Sequence, residues 1–148
     1  MAREFPQIVN FGTAFRFALE AEAAAADLAA AASALAPTAE GKATLEDLCL
    51  AHRQRVDKLT VIRQEVNEMI LEPLAMDTSS YLAALAAEPA DGWPAIGEQL
   101  LAGEQDAARF HEDFADHAAD VLAASTRAFK RAARQEREAA TRLRGLLA

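Results

Sequence analysis

Three glutamates, a histidine and an arginine fall on stretches that otherwise place apolar residues on one helical face: Glu22, His52, Arg55, Glu104 and Glu136. Carboxylates and imidazoles gathered in one buried layer can bind a divalent metal ion, share protons or neutralise one another as ion pairs. The neighbourhoods of these residues repeat along the chain. Glu22-x-x-Ala25-x-x-Leu28 returns as Glu104-x-x-Ala107-x-x-Phe110, and Leu45-x-x-Leu48-x-x-x-His52 returns as Phe129-x-x-Ala132-x-x-x-Glu136. The two offsets nearly agree. Such an echo marks a duplicated helical hairpin that buries its apolar stripe against its copy.

Four long helices would position these side chains. The first is predicted over about 9–36, with Phe15, Leu19, Glu22, Ala26 and Ala29 on one face and Pro37 as its stop. The second runs over about 43–71 to Pro73, its inner face carrying Leu45, Leu48, His52, Val56 (with Arg55 beside it), Leu59 and Ile62. The third spans 94–118, opening on Pro94, a good first-turn residue. The fourth spans 121–147 with Asp120 as N-cap. Residues 72–93 form a long connection with one short helical candidate, Thr78 to Ala87. No strand-like alternation is present, so the class is all-α. Alanine, which dominates the 52% hydrophobic fraction, favours long helices with close axes. At 148 residues the chain reads as one domain that buries roughly 70% of its unfolded surface.

On these residues the chain resembles the rubrerythrin-like branch of the ferritin-like superfamily. Phe129 to Ala140, with Glu136 at its centre, is similar to that family's last helix, where a Phe precedes a Glu-x-x-His pair. Glu104-x-x-Ala107-x-x-Phe110-His111 resembles its third helix, and Glu22-x-x-Ala25-x-x-Leu28 its first. The resemblance covers essentially all four helices, without the family's rubredoxin-type iron site, which one cysteine cannot build. It implies an up-down four-helix bundle holding two metal ions, usually iron, for peroxide reduction or iron oxidation. Glu22, Glu104 and Glu136 match ligand positions. His52 stands where the first Glu-x-x-His pair supplies its glutamate, Arg55 where it supplies histidine, and Ala139 replaces the second histidine.

A guanidinium stays protonated and forks onto carboxylates, so Arg55 would occupy space and supply charge that metal ions otherwise provide. The leading expectation is a metal-free cluster in which Arg55, helped by His52, pairs with Glu22, Glu104 and Glu136. The alternatives are a residual single metal held by Glu22, His52, Glu104 and Glu136, and a working two-metal peroxidase or ferroxidase. No cofactor is favoured, with iron or another divalent metal left open. Cys49 and His111 are candidate supporting residues around the site, Cys49 one turn before His52 and His111 seven residues after Glu104. Glu20 competes with Glu22 for the inward direction, and Glu22 is preferred because it reproduces the Glu104 pattern. His117 is assigned to the turn between the third and fourth helices.

Other classes fit less well. Net charge −8 opposes nucleic-acid and anionic-lipid binding. The single cysteine excludes a disulfide framework, and the chain shows neither a signal-peptide pattern nor a membrane span, which reads as cytoplasmic. Histidine phosphotransfer through His52 needs an exposed imidazole, whereas its stripe is apolar. A structural or interaction module remains an alternative. A homodimer is expected because Met76, Tyr81, Leu82, Leu85 and Trp93 in the connection need a covering surface.

Overall fold

A computed structural model describes residues 3–66, 71–119 and 123–148. The chain is all-α with one small β ribbon. Strand β1 (Ile8–Asn10) leads into α1 (Phe11–Leu35), α2 (Ala39–Glu65), strand β2 (Pro73–Met76), α3 (Ala83–Ala86), α4 (Ala95–Ala118) and α5 (Ala123–Leu147). Local chemistry sets the ends. Asn10 caps α1 by accepting from Thr13 N at 2.8 Å, and Thr13 Oγ1 accepts from Asn10 N at 3.1 Å. Pro37 then forces Ala36 out of helical geometry, and Thr38 caps α2 by accepting from Gly41 N at 3.0 Å.

The four long helices pack as two hairpins. α1 lies along α2 and α4 along α5; the hairpins meet mainly through α1 and α4, more lightly through α2 and α5. Fully buried alanines on α1, among them Ala14, Ala18, Ala25, Ala29 and Ala32, allow the close approach. Two apolar regions result. One is aromatic, built on Phe15, Phe17, Phe110, Phe114 and Phe129; the other is aliphatic, built on Leu45, Ile96, Leu100 and Leu143. Each buried ring contributes about 1.5–3 kcal/mol. The polar layer lies between them.

Several sequence expectations need correction. The ribbon was not expected: β1 and β2 pair antiparallel, Ile8 opposite Met76 and Asn10 opposite Pro73. Three and four residues are too few to show alternation. α2 ends at Glu65, with Val66 N donating to Ile62 O at 3.1 Å, and residues 67–70 of the span predicted to Leu71 lie outside the described residues. Glu72 O accepts from Phe11 N at 3.1 Å, beside the ribbon. The single short helix predicted over Thr78 to Ala87 is a 3-10 turn, Ser79–Tyr81, followed by α3. His117 lies in the last turn of α4, exposed, not in a connecting turn. Asp120, the expected N-cap, and the first two residues predicted for the fourth helix lie outside the described residues.

The connection's apolar residues have a cover within the chain. Tyr81 and Leu85 are buried in the aromatic region, with Met76 and Leu82 packed on it, and Trp93 packs on the aliphatic region. They no longer require a second copy. Among the described residues no helix is long and apolar enough to cross a membrane.

Candidate functional site

Glu22 (α1), His52 (α2), Glu104 and His111 (α4) and Glu136 (α5) are each at most 1% exposed. Spacing explains the convergence. His52, Arg55 and Leu59 form one stripe of α2, and Glu104 and His111 sit two turns apart on one face of α4. Arg55, rather than Val56, takes the inward position: Arg55 is buried and Val56 only half-buried. Glu20 stays half-exposed and pairs with Arg3 at 3.1 Å, leaving Glu22 as the inward carboxylate. Cys49 is a buried free thiol in the aliphatic region.

The layer divides into two halves. In the first, His52 Nδ1 lies 2.5 Å from Glu22 Oε2, and His52 Nε2 contacts Glu104 Oε1. Arg55 Nε donates to Glu22 Oε2 at 3.1 Å, and Arg55 Nη1 donates to Gln135 Oε1 at 3.0 Å. Burial alone would lower the His52 pKa, but the carboxylates of Glu104 and Glu22 on either side raise it to about 10. Burial likewise pushes Glu22 up, and His52 and Arg55 outweigh it, bringing Glu22 down to about 2. An imidazolium and a guanidinium therefore face two carboxylates.

The second half has no such partners. His111 Nδ1 is 2.5 Å from Glu136 Oε1, but the contact is not aligned as a hydrogen bond, and His111 Nε2 is 3.8 Å from Glu22 Oε1. Burial holds His111 down at about 4, against the pull of Glu22. Burial and the charge of Glu22 raise Glu136 well above the ordinary carboxyl range, against Arg55. Glu22 Oε1, Glu104 Oε2 and Glu136 Oε2 are buried without a hydrogen-bond partner, and Glu136 Oε1 lies against His111 Nδ1.

Two trios offer donor atoms within 4.8 Å of one another: Glu22, His111 and Glu136, and His52, Glu104 and Glu136. They differ in what adjoins them. His52 is held between Glu22 and Glu104, with Arg55 Nη2 3.0 Å from its Nδ1, so a fixed cation adjoins that trio. His111 has no such cation at hydrogen-bond distance, and Glu136 Oε1 and Glu22 Oε1 flank it. Both trios have the spacing of a metal site, and only the second has the guanidinium of Arg55 against its histidine.

Of the residues singled out from sequence, the fold thus gathers Glu22, His52, Arg55, Glu104, Glu136 and His111, and leaves Cys49 in the apolar packing. His111 stands among the donors rather than behind them. Gln135, the partner of Arg55, had no sequence signal beyond lying next to Glu136. Compared with protein-family models, with curated proteins and with solved structures, the chain gave no match.

Proposed function

We propose that this protein is a ferritin-like four-helix bundle of the rubrerythrin-like kind that binds one divalent transition-metal ion. Glu22 Oε1, His111 and Glu136 are its ligands, with Glu104 Oε2 alongside. The Arg55–His52 pair takes the place of a second ion. The observation that carries this reading is that Glu22, His111 and Glu136, all buried, bring ligand atoms within 4.8 Å of one another. A mixed oxygen and nitrogen donor set suits iron(II), manganese(II), cobalt(II) or zinc(II). A redox-active ion bound there would supply one-electron chemistry. The protein's own part is to exclude water and fix the ligands. The two-metal peroxidase or ferroxidase reading loses support because a fixed cation adjoins the other trio.

The test is metal content. Protein purified without chelator and reconstituted with manganese(II) or iron(II) should hold close to one ion per chain. His111→Ala and Glu136→Gln should each remove it, while Cys49→Ala should not. Two ions per chain would overturn the reading in favour of a dinuclear centre.

No ion at all would favour a second reading, the metal-free charge cluster. The geometry that supports it is the approach of Arg55 Nε and His52 Nδ1 to Glu22 Oε2 and of His52 Nε2 to Glu104 Oε1, which sets cationic side chains against buried carboxyl groups without metal.

A further inference from the structure

The groove between α2 and α5 exists because small side chains face it: Ala51 on α2, and Ala128, Ala132 and Ala139 on α5. One stretch, of about 310 Å³, lies over Arg55 and Gln135. Through Lys58, Ala128 and Arg131 it continues into a second stretch of about 600 Å³, walled by Val61 and Ile62. Both volumes fall within the roughly 300–1,000 Å³ of small-molecule sites.

The two stretches differ in chemistry. The first is floored by the buried guanidinium of Arg55, and at its rim Arg142 is 3.5 Å from Asp47. Lys58 and Arg131 are exposed and have no ion pair among the described residues. The lining also holds Asp57, Glu138 and Arg127, and it still carries more cations than anions in a chain of net charge −8. The second stretch is apolar on the α2 side, where Val61 is 53% exposed and Ile62 half-buried.

From this juxtaposition the geometry points to a binding groove for an aliphatic carboxylate. The head group lies against Arg131 and Lys58 above Arg55, and the hydrocarbon chain runs along Val61, Ile62 and Ala128. Each methylene removed from water adds about fourfold in affinity, so chain length sets the strength. The sign of the rim selects the head group. None of the proposed metal ligands lines the groove, so the inference does not depend on the metal reading.

Calorimetric titration of the intact protein with sodium decanoate tests it. Butyrate, decyltrimethylammonium and inorganic phosphate serve as comparisons, and sedimentation reports the oligomeric state. Saturable binding of one decanoate per chain is expected, with butyrate and phosphate at least tenfold weaker and the cationic amphiphile not bound. Arg131→Glu and Val61→Glu alter exposed positions that the fold does not need. Each should weaken decanoate at least tenfold with unchanged helical circular dichroism. The proposal is overturned by absent decanoate binding, by equal binding of the cationic amphiphile or of phosphate, or by affinity that neither substitution moves. It is also overturned by a dimer that Val61→Glu dissociates, because a second copy of the chain would then cover the groove.

Discussion

Arg55 on α2 donates through Nε to Glu22 Oε2 on α1 at 3.1 Å, and His52 Nδ1 approaches the same oxygen at 2.5 Å. The other oxygen, Oε1, has no hydrogen bond and faces His111. One carboxylate is thus divided between two environments, one side neutralised by fixed cations and the other bare. On the proposed reading, this asymmetry separates a neutralised half-site from one that takes an ion.

Removing the guanidinium should expose the cost of the arrangement. Arg55→Met deletes the charge but keeps much of the volume, leaving Glu22 with one cation fewer in a buried layer. A loss of about 3–5 kcal/mol is expected by urea denaturation of the metal-stripped protein, the magnitude seen when one member of a buried pair is removed. Adding Glu22→Gln to Arg55→Met should recover a large part of it, since the stranded charge is gone. A loss under about 1 kcal/mol for Arg55→Met would show that the pair contributes no more than a surface one.

The pH dependence has a definite sign. His52 is raised from 6.5 to about 10 on folding. Its stabilising contribution is complete below pH 6.5 and disappears as pH rises through 10. Glu22 is lowered from 4.5 to about 2, so its contribution is present above pH 4.5 and disappears as pH falls toward 2. Metal-stripped protein should therefore lose stability on the order of a few kcal/mol between pH 6.5 and 10. His52→Gln should flatten that alkaline slope. Denaturation curves collected across this range check both statements, and a flat wild-type profile would contradict them.

Metal binding should be visible as stability. An ion held only by the folded state at a hundred times its dissociation constant adds about 2.7 kcal/mol. Manganese(II) should raise the melting temperature of wild-type protein by several degrees and leave His111→Ala unmoved. Because Glu136 must give up its proton to act as a ligand, the gain should be larger at pH 8 than at pH 5.5.

How far the residues announced this arrangement varies with what sets each position. Glu22, His52, Glu104 and Glu136 were legible because each lies at helical spacing within an apolar stripe, and a helix rotates about 100° per residue wherever it packs. Arg55 was legible by its i, i+3 step from His52, whereas Val56, also placed on that face, lies about 100° further round and is only half-buried. The packing of His52 and Leu59 decides between them, and that is tertiary. His111 was in sight as a member of the Glu104 face, but no spacing rule says that it stands among the donors. The ribbon was invisible for a related reason: it depends on pairing between Ile8–Asn10 and Pro73–Met76, residues far apart in the chain.

If a fixed cation is what denies the centre its second ion, exchanging it should restore the ion. Arg55→His removes the permanent charge and supplies a neutral nitrogen donor. Ala139→His adds another one turn after Glu136, on the α5 face that borders the groove, where small side chains leave space for an imidazole. The carboxylates of Glu104 and Glu136 are already in place beside both. Metal content in the double variant should rise from about one to about two ions per chain, and Arg55→His alone should give an intermediate value, since it supplies one of the two new donors. A double variant that still binds a single ion, with its helical content unchanged, would mean that the geometry of α2 and α5, rather than the Arg55 charge, limits the site.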